Sequence, residues 1–247
     1  VKFLLTNDDG IDAPGIAALA ECVARIASPR DQIMVVAPDR QRSECGHSVT
    51  LGRPLRIKQH KADWFSVDGT PVDCVRVAMT HLAQEVDVVL SGINQGANLG
   101  VDVMVSGTVA AAREASLHAP IAIALSHYRH PDIPKTWNHV PHWTEKILRR
   151  IIDRAAKNSP QAGLVWNVNL PAVDPSTLGH GEIPPIVQCP LDMNPHQRTP
   201  VVQDHDITFT SNFQARRRDI GSDVDLCFGG AITVTVLNSD ASQSEQW

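Results

Sequence analysis

Nothing in this sequence marks a membrane span, a disulfide frame or a nucleic-acid binder. No apolar stretch approaches the roughly 20 residues that cross a bilayer. The five cysteines, Cys22, Cys45, Cys74, Cys189 and Cys227, are odd in number and include no C-x-x-C pair. That argues for reduced thiols in a cytosol rather than a disulfide frame. The opening Val1–Thr6 is too short for a secretory signal, so a cytoplasmic protein is expected. Long basic runs are missing too. The nearest is Arg216-Arg217-Arg218, and the formal net charge is -5. Neither a nucleic-acid nor a membrane partner is expected on those grounds. A small anionic substrate stays open, because a metal can supply positive charge locally. The dinucleotide fingerprint G-x-G-x-x-G is absent after the first apolar run, which argues against a dinucleotide-binding oxidoreductase or a methyltransferase.

What is present is a chain able to fold. Hydrophobic residues make up 43% and charged residues 20% of the 247, enough for one large domain with a sizeable core. Short apolar runs at 3–6, 33–37, 86–90, 120–125 and 164–168 read as buried strands. Helical periods lie between them: from Pro14 through Ala27, from Pro71 through Leu82, over 109–117 and over 143–155. Strand and helix in alternation predict an α/β fold, a mostly parallel sheet covered on both faces. Residues 55–57 and 64–67 read as short strands of an antiparallel flap. Residues 126–142, with His127, His130, His139 and His142, read as a loop, and 171–200 as irregular. Alternation at Ile207, Phe209, Ser211 and Phe213 suits a hairpin arm. A final strand is expected over 231–237.

In open parallel sheets ligands bind beyond the carboxyl ends of the strands, and three polar loops leave the sheet there. The first is Asn7-Asp8-Asp9-Gly10. Adjacent carboxylates repel, and a cation or a proton relieves them. The alternative is an Asx-turn capping the next helix. The second loop, Pro38 to Thr50, brings Arg40 and Arg42, which suit either phosphate oxygens or neighbouring acids such as Asp39, and Ser43. The third, Ser91 to Gly100, holds Asn94 and Asn98 among three glycines. Ser106-Gly107-Thr108 then opens a helix, where free N–H groups suit a phosphate, or where Ser106 or Thr108 serves as a plain N-cap. Together, hard oxygen donors suit Mg²⁺ or Mn²⁺ rather than zinc. A divalent cation beside a helix start is equipment for phosphoryl hydrolysis. The H-x-x-H pairs His127/His130 and His139/His142 have a spacing that zinc can use, although exposed loop histidines are the simpler reading.

These stretches resemble the SurE family of survival-protein nucleotidases. The resemblance rests on Leu4-Leu-Thr-Asn-Asp-Asp-Gly10, Ala13-Pro-Gly15, Val36-Ala-Pro-Asp-Arg-Gln-Arg-Ser43, Gly69-Thr-Pro-Val-Asp-Cys-Val75, Ser91-Gly-Ile-Asn94 and Ser106-Gly-Thr-Val-Ala-Ala-Ala112, with Asn167-Val-Asn-Leu-Pro171 beyond. It implies hydrolysis of nucleoside 5′- or 3′-monophosphates with one divalent metal ion per subunit. A non-catalytic, metal-dependent nucleotide-binding module and a phosphatase acting on polyphosphate or other small phosphate esters are the alternatives. By motif position it implies metal ligands at Asp8, Asp9, Ser43 and Asn94, with Asp8 and Asp9 catalytic, and a phosphate site at Asn98, Ser106, Gly107 and Thr108. It also implies one domain over 1–247. Residues 1–125 would be a Rossmann-like catalytic core, and 126–247 would complete that core and add an arm exchanged in a homodimer or homotetramer. Glu44 stands where the family usually has glycine.

Overall fold

Phe3-Leu4-Leu5 is apolar on both faces of an extended chain, so it needs cover on both sides, and Lys2–Thr6 forms β1. The computed structural model describes residues 1–43, 45–83, 85–157 and 161–240. Pro14 sits in the first turn of α1 (Pro14–Ile26), which buries Ile16, Leu19, Cys22 and Val23. Next come β2 (Gln32–Pro38), β3 (Ile57–Lys61) and β4 (Trp64–Val67). α2 (Pro71–Val77) starts at a capping box between Thr70 and Asp73. β5 (Val88–Gln95), α3 (Gly107–Ala115), β6 (Ile121–His127), α4 (Val140–Lys157) and β7 (Leu164–Leu170) follow. The chain continues through β8 (Ile186–Gln188), β9 (Thr199–Gln203), β10 (Asp206–Thr210), α5 (Asp223–Phe228) and β11 (Ile232–Asn238).

Nine strands make one sheet in the order β3-β4-β2-β1-β5-β6-β7-β11-β8. Its centre, β4 to β7, is parallel. β3 runs against β4, and β11 against β7. One apolar cluster joins Ile16 and Leu19 of α1 to Trp143 and Leu148 of α4. A second joins Cys74 and Val75 of α2 to Val109 and Ala112 of α3. The result is the three-layer α/β architecture that the alternating pattern implied, with β9 and β10 paired as a separate antiparallel hairpin. The strand order turns back on itself at β1, which has β2 on one side and β5 on the other. That switch point is where a crevice opens at the carboxyl edge.

Several expectations need correction. β5 continues through Ser91–Gln95, a stretch read above as loop. Asn94 and Gln95 pair with Ser126 and His127 after a register shift, and Gly92, at φ 140°, absorbs the irregularity. The flap strand is Ile57–Lys61 rather than 55–57. All five of its residues are exposed, so it carries no alternating signal. Residues 126–142 are not one loop, since β6 ends at His127 and α4 starts at Val140. The stretch 171–200 contains β8 and the start of β9. The hairpin stops at Thr210, and Phe213 turns back toward Tyr128 and Phe228, with ring centroids at 6.0 and 5.6 Å. α5 was not anticipated. No described helix is long and apolar enough to cross a membrane.

Candidate active site

The acidic loop begins with a turn built by its asparagine. The Asn7 side chain donates to the Gly10 carbonyl at 2.8 Å and accepts from the Gly10 N–H at 3.1 Å. The Asx-turn alternative is therefore carried by Asn7, which leaves Asp8 and Asp9 free of that duty. Neither caps α1, whose N-cap is Ala13 without a side-chain bond. Gly10, at φ 101°, lets the loop pass against the Arg40 backbone.

The two carboxylates point to different neighbours. Asp8 is 5% exposed, and its Oδ1 accepts from Thr108 Oγ1 at 2.5 Å. A Cβ added to Gly107 would lie 2.9 Å from Asp8 Cβ and 3.0 Å from its Oδ2. The start of α3 thus presses directly on Asp8, and only glycine fits. Asp9 is half-buried and accepts from the Gln95 N–H at 3.2 Å. Burial, and then the Asp9 charge, push the Asp8 carboxyl up to about 6 against the Thr108 bond. Burial also raises Asp9, opposed by the Gln95 N–H. Among the described residues, no lysine, arginine or histidine makes a salt bridge with either one.

Of the other loops, the backbone at Arg42 and Gln95 and the start of α3 at Gly107 and Thr108 touch this pair. The Arg42 N–H donates to the Asp8 carbonyl at 2.7 Å, which brings the second loop alongside the first. Ser43, in an exposed turn, accepts from Gln41 Nε2 at 2.9 Å. Asn94 Nδ2 donates to the Gly96 carbonyl at 3.0 Å, so its Oδ1 is the end left to act as a ligand. Ser106 is a true N-cap, accepting from the Val109 N–H at 3.1 Å. Thr108 caps nothing and is spent on Asp8. Arg42 pairs with Asp39 at 3.0 Å, whereas Arg40 lines a cavity of about 540 Å³ with Asp9, Asp12, Gln41 and Gln95. Glu44 lies outside the described residues.

Asn98 is buried and strapped from three sides. Its N–H donates to Asn169 Oδ1 at 2.9 Å, and its carbonyl accepts from Asn167 and Asn169 at 2.9 and 3.0 Å. Its side chain donates to Ser126 Oγ at 2.8 Å. Asn167 and Asn169 had no assigned role in the sequence reading. Their N-x-N spacing on a strand is the available signal, because it points both amides to one face.

The four histidines do not converge. His127 is 2% exposed, contrary to the exposed-loop reading, and its Nε2 lies 2.9 Å from His139 Nε2. Burial pushes these two down to about 3 and about 4, so both are neutral at working pH. His130 faces Asp132 at 3.5 Å, and His142 meets the Gly181 carbonyl at 3.1 Å. Among the described residues, no three His, Cys, Asp or Glu side chains cluster to hold a metal. Among the described residues, the acidic donors available to a metal at this loop are the two carboxylates, Asp8 and Asp9, which neutral oxygens would have to supplement. Asp8, Asp9, the Asn94 amide and the Ser43 hydroxyl are a hard-oxygen set of that kind.

The sequence pattern of the family described as Survival protein SurE matches residues 3–188. The chain belongs to the SurE family. A putative 5′-nucleotidase of Nostoc sp. is 41% identical over 238 residues, covering 96% of this chain and 99% of that protein. The 5′-nucleotidase SurE of Paramagnetospirillum magneticum is 38% identical, covering 99% and 92%. The crystal structure of a SurE protein from Aquifex aeolicus superposes with a TM-score of 0.80 at 29% identity, covering 98% of this chain and 95% of that one. The SurE pattern ends at β8, so the hairpin, α5 and β11 lie beyond it.

Proposed function

We propose that this SurE-family chain is a metal-dependent phosphomonoesterase that hydrolyses nucleoside 5′- or 3′-monophosphates to nucleoside and phosphate. The observation that carries this reading is the Asp8–Asp9 pair: two adjacent carboxylates without a cationic side chain, one of them pressed against a helix start. The 5′-nucleotidase names of the relatives point to the same chemistry.

Asp8, Asp9, Ser43 and Asn94 would hold one Mg²⁺ or Mn²⁺ per subunit. When bound, such an ion offsets phosphate charge and makes water more acidic. The chain's own residues do the rest. The first N–H groups of α3, at Gly107 and Thr108, point out of the helix and favour an anion. Asn98, fixed by Asn167 and Asn169, would complete the phosphate site that the family resemblance implies. Asp8 has both oxygens turned to α3, one toward Thr108 and the other toward Gly107. Asp9 borders the cavity instead and would be the carboxylate that orients a water and takes its proton. The leaving nucleoside would sit in the cavity beside Asp9. Direct attack by Asp8 is the rival route. Acid quench during turnover on labelled AMP should therefore trap no phosphorylated Asp8.

Five free cysteines, none paired, agree with a cytoplasmic site of action, and the exposed hairpin agrees with a dimer or tetramer. The test is phosphate release from AMP with and without chelator. Release should be lost with chelator and return with Mg²⁺ or Mn²⁺. A chain that binds AMP and metal yet releases no phosphate would be the nucleotide-binding module instead.

A further inference from the structure

We propose that His47 and Glu114 are positioning residues that clamp the Ser43 loop onto α3, so that metal affinity depends on a contact remote from the carboxylates. The proposal rests on the metal-dependent reading above. Its starting point is a problem of geometry. Ser43 lies in an exposed turn, and among the described residues its hydroxyl bonds to Gln41, two residues away. That bond cannot place the turn relative to Asp8. On the near side, the Arg42 N–H to the Asp8 carbonyl fixes the chain. On the far side, among the described residues, the first side chain to reach α3 is His47, whose Nε2 meets Glu114 Oε2 at 3.0 Å.

Glu114 suits an anchor. It is 4% exposed in the last turn of α3, and its other oxygen accepts from Arg76 Nε at 2.6 Å. A buried carboxylate bonded from two sides cannot easily turn away. Burial works against its charge, and the Arg76 and His47 bonds more than offset this, holding the carboxyl below its usual value. α3 therefore makes two contacts with one site. Gly107 and Thr108, in its first turn, set Asp8. Glu114, six residues and about 9 Å further along, sets the far end of the Ser43 loop. The next ties run to α2: Thr70 Oγ1 donates to the Ser48 carbonyl at 2.7 Å, and the Thr50 N–H donates to Asp73 Oδ1 at 3.1 Å. They hold residues 48–50 independently of His47. Loss of the clamp should therefore loosen residues 45–47 without releasing the whole segment.

The test is direct Mn²⁺ binding, followed by paramagnetic resonance of the free ion, on purified full-length protein. His47→Ala should weaken binding about tenfold, the scale of outer contacts that orient ligands. His47→Gln, which keeps an N–H donor, should recover most of it. With AMP, half-saturation by Mn²⁺ should rise by a similar factor for His47→Ala while kcat at saturating Mn²⁺ stays within about twofold. Thr70→Ala cuts the separate tie between the Ser48 carbonyl and the start of α2 and serves as the control; it should lower thermal stability through loss of the cap but leave Mn²⁺ affinity within about twofold. If His47→Ala binds Mn²⁺ like the wild type, or Thr70→Ala weakens binding equally, the clamp is only a piece of the core. If the wild-type protein binds no Mn²⁺, the metal reading itself fails and takes the clamp with it.

Discussion

Asp8→Asn should abolish metal-dependent phosphate release, by at least about 10³-fold, and at the same time make the metal-free protein more stable. The second half follows from the position of the carboxyl. Buried beside Asp9, Asp8 is raised from 3.8 to about 6. A carboxyl whose folded pKa lies above its unfolded value favours folding when protonated and opposes it when ionised. The penalty is absent below about pH 4, grows between pH 4 and 6, and is complete above pH 6. Its full size is on the order of 3 kcal/mol. Asparagine is neutral and can still accept from Thr108. In chelator at pH 7.5, Asp8→Asn should therefore melt roughly 5–10 °C above wild type, and the gap should close near pH 4. Added Mn²⁺ should raise the wild-type Tm by linkage and leave the variant unmoved. Asp9→Ala should lose turnover as well, with a smaller gain in stability because Asp9 is only half-buried. A variant no more stable than wild type in chelator, or a gap that persists at pH 4, refutes the account.

That trade between stability and charge is the part of the site most legible in the sequence. Two adjacent acids directly after an apolar run can only sit at a strand end, and they repel wherever that end is buried. Alternating strands and helices implied a parallel sheet, but not that its order turns back at β1. Contacts that join residues far apart in the chain had no such local signal. Nothing in Ser106-Gly107-Thr108 says that its threonine will bond to Asp8 rather than cap its own helix. His47 and Glu114 are 67 residues apart, and neither belongs to a periodic pattern that would pair them. Glycine and asparagine after Leu90 looked like a loop. Composition is blind to whether a neighbouring strand continues, and here β6 extends alongside, so β5 does too. His127 was misplaced for the same reason: a polar residue at the end of an apolar strand looks exposed until Trp137, Trp143 and His139 cover it. α5 has six residues, too few for a helical period to emerge.

Gly107→Ala should lower kcat on AMP by about 100-fold with little change in Tm. Substituting alanine for glycine at a helical position ordinarily stabilises by up to about 1 kcal/mol, so a helix-propensity argument alone predicts a neutral or improved protein. The added methyl has nowhere to go. It would fall 2.9 Å from Asp8 Cβ and 3.0 Å from Oδ2, and Asp8 cannot yield toward solvent because it is buried. Either the carboxylate or the start of α3 must shift by several tenths of an ångström, and the Thr108 bond shifts with them. Losses on the order of 10² for displacements approaching an ångström are expected where reacting groups must be aligned. The core pays little, since the main apolar contacts of α3, at Val109, Ala111, Ala112 and Ala115, lie beyond its first residue. Activity falling while Tm holds would mark Gly107 as a spacer between Asp8 and α3. Full activity in Gly107→Ala would mean that the close approach of α3 to Asp8 has no part in catalysis.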